Sequence, residues 1–222
     1  NGMIMTNGFW AMRSPSFPNE YAKAMIDAWA LDREKGFHGE FFPLAMSRHS
    51  MKTFKKQADH SFGYTPDTAY FTLDGMFCQG FVKEASRLTL NHLENYNYHA
   101  EWQIPMAPEA YKRDRTLFGD QYSNFNAGKI LLYLEGLAGL EYSLPDQKLT
   151  IRSALPQAWK WMEVRLPIAG KWTKIHYSGN KVEVTGCPLR VDLPGRTLSK
   201  GNISNETDAQ DSSFGKPPDV RR

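Results

Sequence analysis

The stretch Met106–Gly139, MAPEAYKRDRTLFGDQYSNFNAGKILLYLEGLAG, passes from a polar loop carrying the carboxylate Glu109 among aromatic and amide side chains into a nearly uncharged helical pattern. The middle of that pattern, Ile130 to Leu134, is apolar nearly all round, which predicts a helix buried on most sides. The periodicity then changes. Residues 148–168, KLTIRSALPQAWKWMEVRLPI, place a strand at Leu149-Thr150-Ile151 and an alternating one from Glu163 to Ile168. Trp172 to Tyr177 and Lys181 to Val184 alternate as well, with Ala169-Gly170 and Ser178-Gly179-Asn180 as turn chemistry between them. A polar loop feeding an inner helix, followed by a small antiparallel sheet, is the organisation these residues dictate.

Upstream, Ser14-Pro15-Ser16-Phe17-Pro18 opens the first strong helix, where a proline in the first turn loses no hydrogen bond. Tyr21, Met25 and Trp29 repeat at helical spacing, flanked by Ala22, Ile26 and Ala28, and Gly36 is the expected stop. Gly36, Gly39, Pro43, Gly63 and Pro66 punctuate residues 36–68, which predicts an irregular segment with at most a short helix near Ser47 to Lys56. A loop of that length is unusual unless it has a task. Asp67 or Thr72 is expected to cap one long helix reaching about Asn95. Its buried side carries Phe77, Phe81, Ala85, Leu88 and Leu93, and Lys83, Glu84 and Arg87 lie outside. Residues 96–123 predict a second long loop, and a third helix follows from about Asn124 to Glu141. The expected division is a helical part over 1–145, an antiparallel β-domain over 146–195 and a polar, disordered tail over 196–222.

At 222 residues and 41% apolar, the chain can bury a sizeable core. Its 27 basic and 24 acidic residues leave a dispersed +3, too weak for a nucleic-acid footprint. The basic run Lys52 to Lys56 reads as a solvated helix face. No apolar run is long enough to span a membrane. The histidines are scattered without zinc spacing, and neither a Gly-x-Ser-x-Gly elbow nor a glycine-rich phosphate loop occurs, so no metal or cofactor is expected. Cys78 and Cys187 are expected as free, buried thiols, and Cys78 lacks an activating base. Asn202-Ile203-Ser204 and Asn205-Glu206-Thr207 are N-glycosylation triplets, read either as secretory routing or as chance in an Asn/Ser/Thr-rich tail. Many of the six Trp, ten Tyr and thirteen Phe read as core, and the excess in polar loops suits the C–H faces of sugar rings. The sequence sets no oligomeric state.

Two passages carry a resemblance. Pro108-Glu109-Ala110-Tyr111, then Gly119 and Asn124-Phe125-Asn126, resembles the carboxylate loop before the last barrel helix of glucoamylase-like and processing α-glucosidase-like enzymes, and bile-acid-type β-glucosidases have a similar stretch. Leu149-Thr150-Ile151, Leu155-Pro156, Trp159 and Val164 are similar to the signature closing maltose-phosphorylase-like and rhamnosidase-like chains. Over roughly residues 10–192 the chain thus resembles the six-hairpin glycosidase superfamily. The resemblance implies a mainly α fold, a partial (α/α)6 toroid of about three helical hairpins with a small β-sheet appendage, the other hairpins lying upstream of Asn1. It also implies hydrolysis or phosphorolysis of a glycosidic bond in an oligosaccharide or glycoconjugate.

Such cleavage needs two carboxyl groups, one to protonate the leaving oxygen and one to activate water or attack the sugar. Glu109 is the candidate catalytic carboxylate; the resemblance implies a general base in the α-glucosidase-like pattern and a holder of a sugar hydroxyl in the β-glucosidase-like one. A surface glutamate capping a turn is the plainer reading. Glu101, beside Trp102 and His99, is either a second site carboxylate or half of a loop-locking pair. Asp59 and His60 are candidates for hydroxyl binding. Trp10, Trp102, Tyr111 and Phe118 would be sugar platforms, with Gln121 and Asn126 as amide partners, although Asn126 equally suits a helix cap. Trp29, Trp159, Trp161 and Trp172 read as packing, and the general acid is expected upstream of Asn1. Lys112, Arg113 and Arg115 beside Glu109 keep a phosphorylase open, and a non-catalytic carbohydrate-binding or structural remnant is the reading from a different class.

Overall fold

The structure is a computed structural model that describes residues 4–39, 42–54, 63–96, 108–112, 116–121, 123–152, 155–156 and 158–194. A 3₁₀ helix Thr6–Arg13 leads to α1 (Asn19–Met25), which runs on as a π-helical turn Ile26–Ala30, and then to α2 (Arg48–Thr53). Helices α3 (Pro66–Cys78) and α4 (Val82–Tyr96) form a hairpin. Strands β1 (Pro108–Tyr111) and β2 (Leu117–Gln121) precede α5 (Ser123–Leu131), extended by a π-helical turn Leu132–Leu137.

The buried stripe of α1 is one position away from the expected one. Ala22, Ile26 and Ala30 are each 0% exposed, whereas Tyr21 is 62% exposed. The helix also ends at Ala30, before Gly36; a Cβ on Gly36 would lie 1.9 Å from the Trp29 carbonyl oxygen, so that glycine serves a close chain approach.

The expected single helix from Asp67 to Asn95 is two helices. Gly80, at φ +82°, donates its N–H to Phe77 O (3.0 Å), and Phe81 donates to Met76 O (3.0 Å). This paired 5→2 and 6→1 bonding is a Schellman stop, and it turns the chain at a glycine that periodicity alone reads through. The N-cap is Thr65, with Pro66 in the first turn, rather than Asp67 or Thr72. Asp67 sits in that first turn and accepts the Thr68 N–H (2.7 Å), while Thr72 is buried mid-helix.

Helix α3 is the centre of the helical part. Its Ala69, Leu73 and Met76 are each 0% exposed, and it packs against the 3₁₀ helix, α4 and α5. Gly75 admits Phe9 and Met12, and Gly136 of the α5 extension admits the Phe77 ring. Helix α5 is less enclosed than its apolar composition suggests, since Ile130 is 57% and Tyr133 37% exposed. A polar chain ties these elements: Arg13 Nε donates to Asp74 Oδ2 (2.5 Å), Arg13 Nη2 to Tyr70 Oη (3.2 Å), and Tyr70 Oη to Glu135 Oε2 (2.8 Å).

The β-part holds two three-stranded sheets, starting at Leu140 within the span read as helix. One is ordered β3 (Leu140–Ser143), β4 (Lys148–Ile151), β8 (Arg190–Asp192); the other β5 (Trp161–Ile168), β6 (Lys171–Ser178), β7 (Lys181–Thr185). The expectation of a purely antiparallel part is corrected at one edge, because β4 and β8 pair in parallel. The β5–β6 turn places both Ala169 (φ 47°) and Gly170 (φ 77°) in the left-handed region, the geometry a two-residue hairpin demands. Leu149, Ile151, Ile175, Tyr177 and Val182 form the core between the sheets, and Tyr177 Oη donates to Ala138 O (2.8 Å) at the end of the α5 extension. Trp161 and Trp172, expected in packing, are 63% and 69% exposed. Cys78 and Cys187 are free, but Cys78 is exposed instead of buried. Among the described residues no helix is long and apolar enough to cross a membrane. The tail with Asn202 and Asn205 lies outside the described residues.

Two buried imidazoles set an acid limit on this fold. His92, 0% exposed with Nδ1 2.9 Å from Phe42 O, is held at about 3 by burial, against the opposing pull of that carbonyl. His38, 6% exposed, is held at about 4 by burial and then by Arg33, Arg87 and Arg48. Both values are depressed, so the unfolded chain binds more protons and stability falls as pH drops below the ordinary histidine value of about 6.5. Chemical denaturation between pH 7 and pH 5 is expected to show a loss approaching about 1.4 kcal/mol per pH unit for each imidazole, and His92→Gln should flatten the slope. A stability independent of pH over that range would contradict the burial of both rings.

Candidate active site

Glu109 lies in β1, on a short antiparallel hairpin within the segment that sequence reasoning treats as loop. Pro108 pairs with Gln121 and Ala110 with Phe118, so one residue of β1, Glu109, faces two of β2, Gly119 and Asp120. The extra residue makes a bulge, a device that redirects side chains at strand edges. Gly119 adopts φ +75°, and a Cβ built on it would stand 2.0 Å from Glu109 Oε2 and 2.8 Å from Glu109 Cβ. The half-buried carboxylate therefore rests directly over the glycine, which must be glycine for both its backbone and its surface. Glu109 makes no ion pair among the described residues, which leaves its oxygens available to an incoming group.

The hairpin is anchored through Tyr111. Tyr64 and Tyr111 exchange both backbone bonds (2.8 and 2.9 Å), and Gly63 sits flush against the Tyr111 carbonyl, where a Cβ would approach to 1.9 Å. Tyr64 bridges in turn to Leu44, and Leu44, Met46, Met51, Tyr64 and Tyr111 form a small core. Tyr111 is only 2% exposed, and burial pushes its phenol up to about 12. Its enclosed ring holds the Glu109 strand in place; a sugar platform needs an open face. Phe118, opposite Ala110, is half-buried, with Lys112 Nζ 5.9 Å from its ring centroid.

The other expected site residues are distributed as follows. Trp10 lies on the 3₁₀ helix, half-buried against Phe71 with centroids 4.7 Å apart, and its Nε1 is buried without a hydrogen-bond partner among the described residues. Gln121 ends β2 and Asn126 lies in the first turn of α5; their side chains are outside the described residues, as are Asp59, His60, Glu101 and Trp102 altogether. Among the described residues no group of three or more His, Cys, Asp or Glu side chains is placed to hold a metal ion.

A concave surface lies apart from the site residues that the sequence singles out. Arg33, His38, Gly39, Arg48, Arg87 and Asn91 line a cleft of about 250 Å³. They come from the turn after α1, the following loop, α2 and α4, and no local spacing links them. Its Gly39 packs against the Tyr64 hydroxyl, so cleft and hairpin lean on the same tyrosine.

No family model matches this chain, and no curated protein matches it. Among solved structures it is similar to one described as "Putative kojibiose phosphorylase from human microbiome", at a TM-score of 0.42 and 12% identity, over 60% of this chain. The chain spans 17% of that protein's length. A likeness of this degree fixes neither a family nor an activity.

Proposed function

We propose that this chain is part of a carbohydrate-active enzyme that cleaves a glycosidic bond, and that Glu109 is one of the two carboxyl groups involved. The observation that carries this reading is the seating of Glu109: a carboxylate with no ion pair among the described residues, placed over Gly119 by a bulged hairpin that Tyr64 and Tyr111 clamp to the core. A turn-capping glutamate needs no such support, whereas a group that takes or gives a proton must be held within hydrogen-bond reach of its target. Glu109 acts as general base in this proposal. Its partner acid lies on other helical hairpins, which complete a toroid around the helices described here.

Phosphorolysis is the second reading, favoured by Lys112 on the same hairpin, next to Tyr111 and over Phe118. The test is release of free monosaccharide from a panel of disaccharides by the complete protein that carries this chain, with and without inorganic phosphate. Release that is independent of phosphate is the expected outcome for hydrolysis, and strict dependence on phosphate assigns the second reading. Saturable sugar binding with no bond cleaved in either condition would leave a carbohydrate-binding module and overturn both.

A further inference from the structure

The cleft lined by the turn after α1, the following loop, α2 and α4 has the composition of an anion site. Three arginines, Arg33, Arg48 and Arg87, line a space of about 250 Å³. None of them has a carboxylate partner among the described residues. Like charges gathered this way repel, and proteins ordinarily relieve such a cluster with an acidic neighbour. Arg48 is held in place, since its Nε donates to the backbone carbonyl of His38. His38 is 6% exposed, and its Nε2 is buried with no hydrogen-bond partner among the described residues. A cation cluster without a carboxylate among the described residues is a deficit that an anionic ligand can fill.

The ligand's chemistry follows from the donors. Guanidinium forks match tetrahedral and planar oxyanions with two parallel hydrogen bonds each, and three forks around one space favour a group with several equivalent oxygens and up to two negative charges. The volume is below the roughly 300–1,000 Å³ of pockets that enclose whole drug-sized ligands, so an anion or the anionic end of a larger molecule fits it. A net charge of only +3, dispersed over the chain, does not make a polyanion-binding face. We propose that this cleft binds a phosphate-class oxyanion, either free or as the terminal group of a phosphorylated sugar. The site is independent of the reading given to Glu109, because none of its residues belongs to the hairpin.

Titration calorimetry at constant ionic strength tests it, with inorganic phosphate in one arm and glucose 6-phosphate in the other. Saturable binding is expected in at least one arm, and the tighter arm identifies the source. Arg33 and Arg87 are exposed, so Arg33→Ala and Arg87→Ala are expected to fold, which a thermal melt checks. Each should weaken binding about tenfold or more, the loss of one charge-assisted contact. Arg87→Lys, which keeps the charge and removes the fork, should weaken it as well, while Arg165→Ala on β5, an equal loss of charge outside the cleft lining, should leave it unchanged. No saturable heat in either arm would overturn the proposal, and so would an equal loss in Arg165→Ala.

Discussion

Leu73→Ala is expected to lower the free energy of unfolding by about 2–5 kcal/mol, a large share of the roughly 5–15 kcal/mol that holds a typical domain together. Leu73 is 0% exposed at the middle of α3 and belongs to one cluster with Met12, Ile26, Leu88 and Leu132, which come from four other segments. Those neighbours are fixed by independent elements, so the site cannot collapse around the missing methyl groups, and the cost should fall in the upper part of the range. Ile130→Ser on α5 is the contrasting substitution. With Ile130 at 57% exposure, a change within about 0.5 kcal/mol is expected. Urea denaturation followed by circular dichroism measures both. If Ile130→Ser proved the more damaging of the two, α5 and not α3 would be the inner helix.

That contrast locates what composition can and cannot reveal. The order of helices followed by sheet was legible, because a shift from a period of 3.6 to one of 2 survives in the residues themselves. The strands Lys148–Ile151, Trp161–Ile168 and Lys171–Ser178 fall where alternation places them. Burial was less legible. The run Ile130 to Leu134 is apolar on all sides yet open on one, while α3 is buried despite carrying Thr68, Thr72 and Asp74, because Arg13 satisfies Asp74 from another segment. The break at Gly80 was missed since a lone glycine in a helical pattern is ambiguous until its φ is known. The parallel β4–β8 pair joins residues about forty positions apart, and no local pattern specifies it. At the candidate site, Glu109 and Gly119 were both singled out, but their dependence on each other, through the bulge, is a property of register. The arginine cleft had no signal at all, since Arg33, Arg48 and Arg87 meet only after folding.

The largest effect on activity is expected from Glu109→Gln. Glutamine has nearly the volume of glutamate, so it should occupy the place over Gly119 with the hairpin unchanged and the melting temperature preserved. It cannot accept a proton. A positioned general base contributes about 10²–10⁴-fold, and turnover should drop by that factor with little change in KM. Gly119→Ala approaches the same defect from the backbone, since its methyl group would claim the space that Glu109 Oε2 occupies. A glutamate that only holds a sugar hydroxyl would behave differently, with KM raised and kcat largely kept.

The side-by-side kcat and KM of the parent protein and Glu109→Gln, on a disaccharide that the parent cleaves, decide the matter. A fall in kcat of at least about a hundredfold, in a protein that melts at the parent temperature, is the predicted result. An unchanged kcat would show that the carboxylate over Gly119 takes no part in breaking the bond.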